Sequence, residues 1–239
     1  MRRTILTLTL PALLLAGTRQ AGAGGVDVRV GAFFPKGGET LFQDLNDLYT
    51  PNGSETRGVT GKDFNGAFGG VEYNTVIAPN VELGVHLDGY GRSLDTSYRH
   101  YTRPSGDEIR QQLKLDVVPL GVTLRLVPTS RRARVAPYVG GGVDVVFYDY
   151  QEEGDFIDFF DSSHPILADR FHDNGATFGV HAVGGVRVYL NRDFALVAEG
   201  RYQWAKKDMG HDFAPNESGL INRIDLSGAS VLVGLHVRF

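Results

Sequence analysis

Ionisable side chains recur at every second position along several stretches of this chain, and that spacing limits the chemistry open to them. Asp27 and Arg29 share a phase, as do Glu82, His86 and Asp88, Lys114 and Asp116, His181 and Arg187, Glu199 and Arg201, and His236 and Arg238. Glu72, Arg125 and Asp144 sit singly in similar surroundings. Residues two apart lie on one face of an extended strand. Gathered on one face of a sheet, these seven acids, six strong bases and three histidines could line an ion path, or pair into a closed network. Nearly balanced sign is what pairing requires.

Other chemistry has thinner support. Ser162, Ser163 and His164 are adjacent, but adjacency along a chain is not the geometry of an activated nucleophile. The segment Gln151 to Gly175 is acidic, through Glu152, Glu153, Asp155, Asp158, Asp161, Asp169 and Asp173, without the ligand spacing of a calcium loop. There is no cysteine, which removes disulfides, thiol nucleophiles and Cys-based zinc sites. No motif assigns a catalytic residue, a cofactor or a metal ligand. A net charge of -4 without a basic stripe argues against nucleic acid as a partner.

The elements that carry the charged face are strands. Eight segments alternate with period two: Val26 to Phe34, Phe64 to Ala78, the run from Val81, Ile109 to Val127, Tyr138 to Tyr150, Thr177 to Leu190, Phe194 to Trp204, and Ile224 to Phe239. In the fourth the apolar phase slips at Val118-Pro119, and a β-bulge there would turn Leu113, Leu115 and Val117 to the same side as Leu120, Val122, Leu124 and Leu126. Leu41, Leu45 and Leu48, at helical spacing within Glu39 to Tyr49, suggest a short amphipathic helix in the first long connection. Phe156, Ile157, Phe159 and Phe160 are placed to cap the mouth of the sheet or to contact a partner.

Connections of about 29, 14, 25 and 19 residues alternate with short turns, such as Pro79-Asn80 and Asn191-Arg192-Asp193. Residues 1–23 read as a secretory signal, with Arg2 and Arg3, an apolar stretch and an Ala21-Gly22-Ala23 exit, leaving residues 24–239 as one domain. No later stretch is long and apolar enough for a transmembrane helix, so a membrane crossing needs a closed sheet. Such a barrel turns its apolar face to lipid and its charges inward. A lipocalin-like carrier would do the reverse, and periodicity alone fits both. Loop asymmetry, strand length and aromatics near strand ends (Phe34, Tyr73, Tyr90, Phe147, Phe194, Tyr202, Trp204 and Phe239) favour the membrane arrangement.

The last strand, Val231-Leu-Val-Gly-Leu-His-Val-Arg-Phe239, resembles the C-terminal signature of outer-membrane barrels. Asp116-Val-Val-Pro-Leu-Gly-Val-Thr-Leu-Arg125 and Ala136-Pro-Tyr-Val-Gly-Gly-Gly-Val143 are similar to strands four and five of the small outer-membrane β-barrel family, which is similar to the OmpA transmembrane domain. The resemblance covers essentially the whole chain after residue 23. It implies an all-β, eight-stranded antiparallel up-and-down transmembrane barrel with a filled polar interior, four long extracellular loops and three short periplasmic turns. The signal segment implies export through the Sec route, and the resemblance implies the bacterial outer membrane as destination, with outer-membrane lipid, periplasmic chaperones and the barrel-assembly machinery as partners, the last reading Val233, Leu235, Val237 and Phe239.

Within such a barrel the expected structural charge network is Arg29, Glu72, Glu82, Asp88, Arg125, Asp144, Arg187, Glu199 and Arg201, with Arg125, Arg187 and Arg201 pairing Glu72, Glu82, Asp144 and Glu199. An eight-stranded interior is only wide enough for side chains. The expected role is therefore a monomeric, non-enzymatic membrane protein that acts structurally or meets an extracellular ligand through its loops. A minor channel, an outer-leaflet lipid-modifying enzyme and a soluble carrier are the alternatives.

Overall fold

The computed structural model describes residues 24–52, 57–129, 133–159, 161–210, 213 and 223–239. The predicted signal segment, residues 1–23, and Phe160 lie outside them. Among the described residues ten strands form, in chain order β1 (Gly24–Pro35), β2 (Tyr49–Pro51), β3 (Gly66–Ala78), β4 (Val81–Thr102), β5 (Glu108–Leu126), β6 (Val135–Ile157), β7 (Ile166–Tyr189), β8 (Phe194–Asp208), β9 (Arg223–Asp225) and β10 (Gly228–Arg238). An α-helix, α1 (Thr40–Leu48), and a 3-10 turn (Gly61–Phe64) lie between β1 and β3.

Eight of these strands close a ring. Neighbours in the chain pair antiparallel from β3 through β8, and β10 pairs with both β8 and β1. The first and last described residues seal the seam, since the Gly24 and Phe239 backbones exchange hydrogen bonds at 3.3 and 3.0 Å. Short turns join β3 to β4 and β7 to β8 at one end, where Asn80 takes a left-handed conformation (φ 63°) suited to its type. Gly24 and Phe239 lie at that same end.

β4 to β7 are each 19 to 24 residues long, twice what a bilayer crossing needs. The second and third long connections are therefore mostly paired strand, with tips at 103–107 and 158–165. The acidic segment Gln151 to Gly175 is a hairpin whose charges are spread over two faces.

The β-bulge expected at Val118-Pro119 does not form. Register is the same above and below it, with Leu87 opposite Leu120 and Tyr90 opposite Val117, and β6 pairs straight through Pro119. The phase slip instead marks a change of surroundings. From Val118 to Leu126 the alternate apolar residues point outward, while Leu113, Leu115 and Val117 point inward and are buried.

The same inversion crosses the other strands. Phe33 faces in and Phe34 out, Val146 in and Phe147 out, Ala205 in and Trp204 out, Leu232 in and Val231 out. Below this level the barrel is apolar outside and polar inside; above it, polar outside and apolar inside. Phe34, Phe147, Phe178 and Trp204 ring the upper edge of the apolar band, and Tyr73, Phe194 and Phe239 its lower edge. Tyr90, expected in this girdle, is buried inside, because β4 has passed the inversion there. Tyr202 is half-buried and rests on Trp204 at 4.6 Å.

The upper tier is built like the core of a water-soluble protein. α1 lays Leu41, Phe42 and Leu45 over the mouth, as its spacing predicts, with Leu48 turned partly to solvent. Phe64, Val59, Tyr98, Ile109, Leu113, Tyr150 and Phe156 belong to the same cluster. Phe156 meets Phe171 edge-on at 4.8 Å and so serves as the expected cap, while Phe159 lies outside against Tyr101 at 5.3 Å.

Candidate functional site

The polar interior of the lower tier holds the molecule's densest chemistry. Inward positions of β1, β3, β4, β5 and β8 converge on one hub. Arg29 contacts Glu72 and Glu199, each at 2.7 Å, and Asp88 at 3.2 Å. Arg125 pairs with Glu72 and reaches Glu199 at 3.1 Å. Arg201 holds Asp88 at 2.7 Å and Glu199 at 3.2 Å. Tyr138 closes the hub, donating its hydroxyl to Glu199 at 2.8 Å beneath the Arg125 guanidinium. Each carboxylate thus meets two or more guanidiniums in a space without water-facing surface, the arrangement in which buried ions avoid their desolvation cost.

A second cluster lies nearer the short-turn end. Arg187 spans Glu82 at 2.6 Å and Asp27 at 3.1 Å, and Asp27 also accepts from Asn74 and contacts His236 Nδ1 at 2.5 Å. The nine residues expected to form the network are all brought inside, but Asp144 keeps other company than expected. It contacts two histidines, His86 at 3.1 Å and His181 at 2.8 Å, rather than an arginine. Asp88 takes the arginine contacts in its place, because it sits one inward position above His86 on β4. Lys114 and Asp116, assigned to the interior by sequence phase, face outward and pair with each other at 2.6 Å, since they lie above the inversion.

Above the hub, a buried acid stands with no cation beside it among the described residues. Glu152, in the upper tier, accepts from the Tyr150 hydroxyl at 2.7 Å and the Tyr49 hydroxyl at 3.2 Å. Burial pushes its carboxyl up to about 7, against the two tyrosine hydrogen bonds, which favour the ionised form. Glu152 belongs to the acidic segment Gln151 to Gly175, whose charge alone does not announce a buried position. The signal was present as Tyr148, Tyr150 and Glu152 in phase with the buried Val146.

The remaining candidates separate. Ser163 donates to Asp161 at 2.8 Å, and His164 turns toward Phe159, so no hydroxyl–imidazole pair forms there. Of the acidic segment, Asp155 pairs with Arg103, and Asp173 accepts from Tyr148 at 2.6 Å. Val233, Leu235 and Phe239 all point out of the barrel at its last strand. A closed antiparallel ring with an outward apolar band, aromatic edges and buried ion pairs is the inverse of a water-soluble sheet and suits a bilayer. Over residues 5–239 the chain matches the outer membrane protein beta-barrel domain family.

The chain belongs to that family. A search of curated protein sequences gives no match. Among solved structures, a major outer membrane protein from Thermus thermophilus aligns with a TM-score of 0.50 at 12% identity, covering 92% of this chain and 100% of that one. Neisserial surface protein A aligns at 0.48 and 12% identity, with 92% and 100% covered. The outer membrane protease OmpT from Escherichia coli aligns at 0.41 and 9% identity, with 92% and 99% covered. Family membership places this chain in the bacterial outer membrane, with the apolar band in the bilayer.

Proposed function

We propose that this barrel is a closed, monomeric outer-membrane protein that acts through its extracellular hairpins, without an open pore and without catalysis. One observation carries the reading: the lumen is filled twice, by ion pairs within the bilayer and by an apolar core above it. A conducting path would have to break both fillings. The upper core also turns the long hairpins into a stiff pedestal, with tips at 103–107 and 158–165 held clear of the lipid surface. Loops on a rigid scaffold are where specificity for a partner is carried.

Export by residues 1–23 through the Sec route, chaperoning in the periplasm, and recognition of Val233, Leu235, Val237 and Phe239 by the assembly machinery belong to the same proposal. These residues are the part of the last strand that a partner strand or groove could read before the seam with β1 closes.

Planar-bilayer recording of the purified protein tests the closed state. Silence, or rare brief steps, is expected, and a large steady conductance in the wild type would overturn it. Replacing both hairpin tips by short turns is expected to leave a folded, heat-modifiable barrel and to abolish whatever cell attachment or survival the wild type confers. Unchanged attachment would remove the recognition role. Lipid acyl chains identical in cells with and without the protein are expected for a non-enzyme.

A further inference from the structure

Four successive strands place His86, Thr123, Asp144 and His181 around one point inside the barrel. Register sets them there: His86 lies opposite Gly121, Gly121 opposite Asp144, Thr123 opposite Gly142, and Gly142 opposite His181. The two glycines are the space in which the ligating side chains sit. A Cβ at Gly121 would lie 1.9 Å from Asp144 Oδ1 and 2.7 Å from a His86 ring carbon, and one at Gly142 would lie 2.8 Å from the His181 ring.

We propose that His86, Asp144 and His181 form a buried binding site for one divalent first-row transition ion, with zinc as its natural probe. The three donor atoms, His86 Nε2, His181 Nδ1 and an Asp144 carboxylate oxygen, lie within 4.8 Å of one another. His86 Nε2 lies 3.1 Å from Asp144 Oδ1, and His181 Nδ1 lies 2.8 Å from Asp144 Oδ2. Tetrahedral zinc with bonds of about 2.0–2.1 Å sets its ligand atoms roughly 3.3 Å apart, so admitting the ion takes a contraction of up to about 1.5 Å across the widest pair, within reach of side-chain rotation. Two imidazoles and a carboxylate are a donor set that suits zinc and its neighbours rather than calcium or magnesium.

Hydrogen-bond counting favours the ion. His86 Nε2 and Asp144 Oδ1 are buried 3.1 Å apart, and neither has any other hydrogen-bond partner. The far nitrogens, His86 Nδ1 and His181 Nε2, both face Thr123 Oγ1, at 3.3 and 3.0 Å. With both near nitrogens holding protons toward Asp144, both far nitrogens become acceptors and the single Thr123 proton satisfies only one of them. With both near nitrogens on a metal, both far nitrogens carry protons and donate to the two lone pairs of Thr123 Oγ1. Metal-bound histidine almost always donates its second N–H in this way.

Charge counting agrees. At the level of the bilayer the carboxylates Asp27, Glu72, Glu82, Asp88, Asp144 and Glu199 outnumber the guanidiniums that pair with them, Arg29, Arg125, Arg187 and Arg201, with Arg238 beside Glu82 at the lower mouth. An excess of buried negative charge is what a bound cation offsets, and burial in a bilayer penalises leaving it. The competing arrangement puts the missing charge on doubly protonated histidines, and the experiment separates the two.

The full chain after residue 23 is unfolded in urea with chelator, refolded into detergent micelles with excess zinc or with none, passed over a desalting column and measured by elemental mass spectrometry. One zinc per folded chain is expected, with a higher thermal midpoint for the loaded barrel read from Trp204 fluorescence. Cobalt should give the visible absorption of a four-coordinate site. His181→Gln and Asp144→Asn should retain less than a tenth of an ion. Thr123→Ala should weaken affinity about 10- to 100-fold while leaving the ligands in place. His236→Gln, which removes a lumen histidine outside the triad, should still bind one. Folding of every variant is scored separately by heat-modifiable migration. Less than a tenth of a zinc in folded wild-type barrel, or equal zinc in wild type and His181→Gln, would overturn the site and leave protonated histidines as the source of the charge. Should both ligand variants fail to fold, the wild-type stoichiometry and the cobalt spectrum decide by themselves.

Discussion

Replacing Glu152 by glutamine should alter how stability depends on pH, not merely how large it is. The wild-type carboxyl ionises near 4.5 in an unfolded chain and at about 7 in the barrel, where burial opposes its charge and its hydrogen-bond partners are two tyrosine hydroxyls. Below about pH 4.5 it is neutral in both states and costs nothing. Between 4.5 and 7 the unfolded chain gives up the proton and the folded chain keeps it, so unfolding becomes easier as pH rises. Above 7 both states are ionised and the loss levels off. The difference between about 7 and 4.5, at 1.36 kcal/mol per pH unit, amounts to roughly 3 kcal/mol.

Glutamine keeps the shape and an acceptor for one tyrosine, and it carries no charge to bury. Urea unfolding of both proteins from lipid vesicles, from pH 4 to pH 9, gives the comparison. Stabilities should lie close together at pH 4, and Glu152→Gln should be the more stable by about 3 kcal/mol at pH 8. Because every other titrating group is shared, the difference curve isolates this residue. A difference that stays constant across the range would refute the assignment of Glu152 as a buried, cation-free acid.

Other perturbations separate the two tiers. Arg125→Met strands Glu72 and Glu199 with less counter-charge and should cost about 3 kcal/mol or more in vesicle unfolding; a loss below about 1 kcal/mol would mean the hub is not energetically coupled. Val122→Arg puts a charge on the lipid face and should cost about 2–4 kcal/mol, whereas Gln112→Arg, on the same strand above the band, should fall within about 0.5 kcal/mol; equal costs would place the bilayer elsewhere. Leu113→Ala hollows the upper core and should cost about 2–5 kcal/mol, seen as faster protease cleavage at the hairpin tips while the membrane-embedded strands stay protected.

The lower tier was legible because one physical rule governs it. Alternation from Val81 to Asp88, or from Phe194 to Arg201, states directly which residues meet lipid and which meet each other, and pairing in the structure follows. Which acid meets which arginine was not legible. That depends on how far each strand is staggered around the ring, and a stagger of one inward position exchanges Asp144 for Asp88 as the arginine partner. The same stagger brings His86, Thr123, Asp144 and His181 together from four strands, with no spacing along the chain to announce it.

The upper tier was misread for a more specific reason. A strand that leaves a bilayer for water must exchange its faces, and the exchange leaves two adjacent apolar residues: Phe33-Phe34, Val117-Val118, Val146-Phe147, Val231-Leu232. Within one strand this looks like an inserted residue, and a bulge at Val118-Pro119 is the natural explanation. Across the barrel a bulge fails as an account, because it would have to recur at one height in strand after strand. A change of solvent acts at one height on all of them. The pairs therefore mark the plane where lipid ends, and the length of alternation beyond them tells a flexible loop from a rigid stem. In β5 it runs from Val117 up to Ile109 with every second residue buried, which is why the second long connection shrinks to its tip and the lumen is sealed from above.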